Sequence, residues 1–199
     1  VDPEGKSIQM LQPWGVVDAI LAKKNLGTNR DMARHTVALG PGFTAGRDVD
    51  AVIETKRGHR LGRIIREGTA AANTGIPGII AGYGKERVIH NDAAGFVYGL
   101  VRIGDRVKKG QPMAVLTDVP IPDGMAITET MGIPVPASLT GLVRGLIRDG
   151  YYAPKGFKIA DIDPREHEYH NCFTISDKAR SLGGAVLTAL LWLGRDDLF

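Results

Sequence analysis

Four glycines recur at one fixed offset and restrict the fold of the chain's second half more than any other feature. Gly95, Gly99, Gly104 and Gly110 return 46 positions later as Gly141, Gly145, Gly150 and Gly156. The arms that carry them, Gly95 to Gly110 and Gly141 to Gly156, share apolar positions, and Met113 and Ile159 extend the match beyond the last glycine. Glycine is required where a chain turns or takes a conformation costly for a Cβ-bearing residue. Two such arms predict two β-sheets related by an approximate two-fold. The 26 glycines and 11 prolines among 199 residues exclude a helical bundle and demand frequent turns.

The stretch Gly104-Asp105-Arg106-Val107-Lys108-Lys109-Gly110-Gln111-Pro112 resembles one half of a biotinyl or lipoyl barrel-sandwich hybrid domain. A carrier of that kind presents an acceptor lysine between its halves. No lysine occurs between Lys109 and Lys155, so covalent biotin or lipoate is not expected. The fold class expected is therefore mixed α/β and β. A small α/β or mixed-β unit over 1–84 precedes a duplicated barrel-sandwich-hybrid-like domain over 85–165, and a C-terminal loop and packing helix fill 166–199.

In the first unit, β-favouring stretches lie at 14–20, 36–39 and 50–55, with a weaker one at 61–68, and the unit looks incomplete as a doubly wound fold. Near the C-terminus, apolar residues 179, 182, 186, 189, 190 and 193 mark one helical face behind the N-cap candidate Ser176. Gly183 and Gly184 weaken that helix, and close packing against a neighbour is the expected compensation.

Composition narrows the function classes. A hydrophobic fraction of 43% and a charged fraction of 24% are those of a globular protein, and a net charge of +3 gives no broad footprint for nucleic acid. The basic turn Arg102, Arg106, Lys108 and Lys109 lacks interleaved aromatic residues. The apolar run 185–193 is about half of a membrane span. Cys172 is the only cysteine, which excludes an intrachain disulfide and fits a cytoplasmic setting. The opening Val1-Asp2-Pro3-Glu4 lacks an initiator Met and suggests processing or an excised fragment.

Several clusters could carry chemistry. Gly40-Pro41-Gly42-Phe43-Thr44-Ala45-Gly46 follows a strand and could aim amides at a phosphate, with Gly40, Gly42, Thr44 and Gly46 as candidate binding residues. It is neither a dinucleotide fingerprint nor a P-loop. In Glu54-Thr55-Lys56-Arg57-Gly58-His59, Arg57 could clamp an oxyanion while Glu54 or His59 moves a proton; a salt-bridged loop is the alternative. Asn73 could contact a ligand or cap a turn. Asp161 and Asp163, two apart on an extended chain, could hold Mg²⁺ or orient Arg165, and Asp163 is a further proton-transfer candidate. His167, His170 and Cys172 lack a spacing that identifies a zinc site, and Cys172 has no local activating base, so no metal site is expected.

Five ordered motifs carry a resemblance to a family: 39–46, 52–59, Asn73 to Gly78, Asp161 to Arg165 and Ile175 to Ala179. Together they resemble the selenium-dependent molybdenum hydroxylase accessory family over nearly the whole chain. The resemblance implies an accessory or cofactor-maturation role, a molybdenum hydroxylase or its maturation machinery as partner, and a molybdopterin-like or other phosphorylated ligand. It also implies that a nucleotide-binding-like N-terminal region of longer members is absent here. A small-molecule enzyme using Glu54, His59 or Asp163, and a non-enzymatic homo-oligomerisation module, are the alternatives from other classes.

Overall fold

The computed structural model describes residues 2–75 and 77–197. The chain divides into two compact units, Val1–Gly75 with Ile175–Phe199, and Ile76–Thr174. The boundary expected at 84 thus falls inside the second unit, and the expected C-terminal segment 166–199 is shared out between both. Mixed α/β and β structure is present, as expected.

In the first unit, α1 (Lys6–Leu11) precedes β1 (Gly15–Asp18), β2 (His35–Leu39), β3 (Thr44–Ala45), β4 (Ala51–Ile53), β5 (Ile64–Ile65) and β6 (Gly68–Thr69), and α2 (Asp177–Leu193) closes it. β1, β2 and β4 are parallel, β5 runs antiparallel beside β4, and β3 pairs with β6. Every residue of β2 is buried. That is the pattern of a parallel strand covered on both faces, and alternation sorts its side chains. Val37 and Leu39 join Ala51, Ile53, Leu182 and Ala189 on the α2 side, while Ala38 and Val52 meet Phe43, Ala45, Val49 and Ala70 on the other. The expected strand over 61–68 is two short strands, because Arg66 and Glu67 turn the chain between Ile65 and Gly68.

Helix α2 starts as anticipated, with the Ser176 hydroxyl accepting the Ala179 N–H at 3.1 Å. Leu182 and Ala189 are buried, whereas Ala179 is exposed and lies off the packed face. The close packing expected at Gly183 and Gly184 is absent: a Cβ at either position meets nothing within 4 Å among the described residues.

The second unit contains β7 (Val88–His90), β8 (Gly95–Gly99), β9 (Arg106–Val107), β10 (Pro112–Thr117), β11 (Ile133–Pro136), β12 (Gly141–Leu146), β13 (Tyr151–Ala153) and β14 (Lys158–Asp163). They form two four-stranded sheets, β11-β10-β8-β13 and β7-β14-β12-β9. Each group of four consecutive strands keeps its second and fourth in one sheet and lends its first and third to the other. The turns hydrogen-bond reciprocally. Gly104 N–H donates to Val143 O at 2.8 Å and Gly150 N–H to Val97 O at 2.9 Å, while the amides of Gly110 and Gly156 donate to Ala137 O and Asn91 O at 2.8 Å.

Those four turn glycines have φ of 94°, 85°, 73° and 78° in chain order, a region that Cβ-bearing residues avoid. Gly141 is required for a different reason, and Gly95 sits in a tight approach of the same kind. A Cβ on Gly95 would lie 3.0 Å from the carbonyl oxygen of Thr117, and one on Gly141 only 2.3 Å from that of Asp163. Met113 and Ile159 are buried with Val97, Val107, Val143 and Ile162 in the core.

These two kinds of glycine predict opposite outcomes on substitution. Gly141→Ala lowers stability by about 3 kcal/mol, the upper range for forced overpacking, while Gly183→Ala in the exposed helix raises it by about 1 kcal/mol through helix propensity. Urea unfolding followed by circular dichroism measures both. Comparable effects of one sign would defeat the close-approach argument.

Candidate functional site

The Gly40–Gly46 loop leaves the carboxyl end of β2 and curls on itself. Gly40 N–H donates to Ile53 O at 2.9 Å and Gly46 N–H to Val49 O at 2.8 Å. Thr44 N–H donates to the Asp48 carboxylate at 2.8 Å. Three amides proposed for an anion are therefore engaged, that of Gly40 with β4 and those of Thr44 and Gly46 with residues just downstream that close the loop. Gly42 is forced by proximity: at φ 108° its Cβ would stand 2.5 Å from the Cα of Lys24.

Glu54 follows β4 and is buried. Its two carboxylate oxygens accept the amides of Lys56 and Ala71, each at 2.8 Å. Those bonds fix the start of the 56–60 loop and the 69–72 segment, so Glu54 shapes the site from behind. Arg57 and His59 are exposed on that loop. Arg57 makes a bidentate pair with Asp177 in the first turn of α2, at 2.6 and 2.9 Å. The guanidinium holds the Asp177 carboxyl well below the usual carboxylate range, and the backbone amide of Lys178 adds to the effect.

Between these segments lies a cleft of about 1310 Å³, walled by Glu54, 56–60, 63–67 and 69–72 together with Trp192. Lys56, Arg57, His59, Arg60, Arg63 and Arg66 line it against two acids, Glu54 and Glu67. The Arg66 guanidinium sits 4.9 Å from the Trp192 ring centre, a cation–π contact that keeps the cation at the cleft wall. Arg63, Arg66 and Trp192 carried no role in the sequence. Arg63 and Arg66 follow the cluster within nine residues of Arg57, a signal of repeated cations; nothing foretold Trp192 from the far end of the chain.

Lys178 was also missed as a site residue. It is half-buried beside Glu54, and burial, reinforced by Lys23 and Arg57, pushes its ammonium below the ordinary lysine range. Asn73, by contrast, caps a local turn through the amide of Gly75 at 3.3 Å and is exposed. Ile76, within the same motif, lies outside the described residues.

Asp163 and Arg165 belong to the second unit. Asp163 is fully buried and accepts from Arg165 Nε at 3.0 Å and Nη2 at 2.7 Å, with Arg144 Nη1 at 3.5 Å. Burial on its own would raise the Asp163 pKa, but the bonds from Arg165 and the charge of Arg144 outweigh it and the net direction is down. A carboxylate held ionised this way is an ion-pair partner, and the geometry gives it no free proton to move. Asp161 has separate partners, Arg87 at 3.1 Å and Lys158 at 3.2 Å, so the two acids do not converge on one cation. Burial pushes the Cys172 thiol up, away from a nucleophilic thiolate. Among the described residues, no three His, Cys, Asp or Glu side chains are grouped to hold a metal ion. No helix among them is long and apolar enough to cross a membrane.

No family model matches the chain. It is 50% identical over 193 residues to the uncharacterized protein YqeB of Escherichia coli K12, a match covering 97% of this chain and 33% of that protein. The chain thus spans about a third of the length of this relative. Solved structures with partial likeness include an aspartoacylase family protein of Mesorhizobium loti, at TM-score 0.31 and 18% identity over 39% of this chain and 23% of that one. Another is the ectoine utilization protein EutE of Ruegeria pomeroyi, at TM-score 0.29 and 17% identity over 49% of this chain and 27% of that one.

The buried Asp163 pair predicts a pH signature. Asp163→Asn costs about 3 kcal/mol at neutral pH, because two guanidinium groups lose their counter-charge. The folded carboxyl is more acidic than the unfolded one, whose pKa is about 3.9. Its contribution is therefore complete above the unfolded value and disappears as pH falls through the folded value. Urea unfolding of both proteins should show their stability difference shrinking as the pH drops below about 4. A pH-independent difference would assign the loss to packing.

Proposed function

We propose that the chain is part of an accessory or maturation protein for a selenium-dependent molybdenum hydroxylase, working in the cytoplasm and binding a phosphorylated, pterin-like ligand in the basic cleft of the first unit. The observation that supports it most is the composition of that cleft, where six basic side chains face two acids and one of the acids, Glu54, is already satisfied by two amides. Cations gathered in a concave site attract an oxyanion, and guanidinium groups match its oxygens in pairs. Trp192 adds an aromatic wall that holds the Arg66 and Arg195 guanidinium groups by cation–π contact. The five-motif resemblance supplies the client class, a molybdenum hydroxylase or its maturation machinery.

The second unit, in this proposal, is a duplicated barrel-sandwich-hybrid domain without a swinging arm. The reciprocal strand exchange and the matched glycines support the duplication. The lysine-free stretch between Lys109 and Lys155 supports the missing carrier function. Such a unit serves as a docking or spacing module for the client.

Isothermal calorimetry with a synthetic phosphorylated pterin tests the cleft. Arg57→Ala and Arg63→Ala each weaken binding by about 1.5–3 kcal/mol, the range for charge-assisted hydrogen bonds. Arg106→Ala leaves it unchanged, since that guanidinium is paired with Glu166 in the second unit. Equal weakening by all three, fading with added salt, would indicate diffuse attraction, and unaltered binding in both cleft variants would remove the cleft from the mechanism.

A further inference from the structure

We propose that the carboxyl edge of the parallel sheet in the first unit holds a site for a phosphate monoester, contacted directly by the ammonium groups of Lys178 and Lys23 and biased by the positive field of Arg57. The inference deepens the anion-binding reading above and rests on it for the sign of the ligand's charge, not for the ligand's identity.

Three segments converge at this edge. β1, β2 and β4 are parallel, pairing Asp18 with Ala38 and Leu39 with Ile53, so the loops after all three leave from the same side of the sheet. Open α/β sheets bind ligands in the crevice outside that side. The loop after β1 lies directly on the turn after β2, because only a glycine at position 42 leaves room for the backbone of Lys24. Lys23, in the same loop, has a left-handed φ of 65°. The bidentate Arg57–Asp177 pair draws the first turn of α2 to the loop after β4, and Lys178 is the next residue.

The charges there do not balance locally. Glu54 gives both oxygens to the amides of Lys56 and Ala71, and Asp177 is taken by Arg57. Lys23 and Arg57 oppose the Lys178 charge while Glu54 favours it, and neither lysine ammonium has an ion pair or hydrogen bond among the described residues. Lys23, Lys178 and Arg57 outnumber the acids Glu54 and Asp177 by one charge, an excess that an incoming anion relieves. A phosphate monoester meets the arrangement better than a carboxylate: it carries nearly two charges at neutral pH and three acceptor oxygens, enough to bridge two ammonium groups.

Pyridoxal 5′-phosphate is a direct probe, because its phosphate seeks the site while its aldehyde reports the amine. The Lys178 nitrogen lone pair adds to the aldehyde carbon, water leaves as the imine forms, and added borohydride delivers the hydride that fixes the adduct as a secondary amine. Peptide mapping of the full chain, treated with limiting probe at neutral pH, should find Lys178 modified several times faster than the exposed Lys108 and Lys109 of the second unit. Inorganic phosphate should protect it. Pyridoxal, which lacks the phosphate, should lose the preference, and Lys23→Ala should reduce it. Uniform labelling, or labelling of Lys178 indifferent to phosphate and to Lys23→Ala, overturns the proposal.

The two readings fail separately. Phosphate-protected labelling of Lys178 in a protein that shows no calorimetric binding of the phosphorylated pterin keeps this site and removes the pterin. Pterin binding lost in Arg63→Ala, with Lys178 labelled no faster than Lys108, keeps the cleft and overturns this site. Lys178→Arg retains the charge but cannot form the imine, so phosphate seen by ³¹P line broadening in that variant supports an electrostatic contact at 178, and its loss in a folded Lys178→Arg overturns it.

Discussion

The second unit rests on the passage of one backbone against another where there is no room for a side chain. At Gly141 the chain runs so close to the carbonyl of Asp163 that a single added carbon would overlap it, and Gly95 makes a similar approach to Thr117. These crossings sit where β12 begins against the end of β14, and where β8 begins against the end of β10. Once they are tight, Val97 and Val143 face one core, and the turn amides of Gly104 and Gly150 reach exactly opposite partners, Val143 and Val97. A wider crossing would lengthen those hydrogen bonds and open the core together. Close packing of that kind is felt at the scale of one methylene.

In the first unit the corresponding constraint is the burial of β2 on both faces. A strand with no exposed side chain needs a cover on each side, which explains why a helix almost 140 residues later in the chain closes the sheet. After that helix, Asp197 accepts from Trp14 Nε1 at 3.0 Å and lies 2.6 Å from His35 Nε2. Both partners come from the region of β1 and β2, so the end of the chain is tied to the start of the sheet. The same helix brings Asp177 and Lys178 to the carboxyl edge of the sheet and, at its other end, Trp192 to the cleft, and the cover for the core is thereby also a wall of the site.

What could be read in advance followed local necessity. A glycine forced by positive φ or by a crossing cannot drift in type, so the offset was visible, as were the central strands and the Ser176 cap. The interior run 36–39 announced itself by uninterrupted hydrophobicity. At the Gly40–Gly46 loop, glycines near a strand end suggest exposed amides, whereas Asp48 and Val49, only a few residues on, accept the amides of Thr44 and Gly46. At the helical double glycine the departure runs the other way, since it is simply exposed. The cation cluster at 54–59 was legible from crowding alone. Its decisive partner was not, because Arg57 and Asp177 stand 120 residues apart and only the packing of α2 on the sheet joins them.

That long-range pair also determines how the edge behaves electrostatically. An exposed ion pair adds little stability on average, since two long side chains are held and water screens them. Its consequence here is positional. By occupying Asp177 with Arg57, the fold withdraws from Lys178 the acid beside it in sequence, and Glu54, held by two amides, acts on it only as a nearby charge. A half-buried lysine beside other cations then sits at a higher free energy in its charged form than the same lysine in water, through burial first and the charges of Lys23 and Arg57 second, which is the direction found for it. An anion bound at such a site would both cover a half-buried ammonium and offset the repulsion from Lys23 and Arg57, so its affinity depends on Asp177 staying engaged with Arg57 as much as on the cations being present.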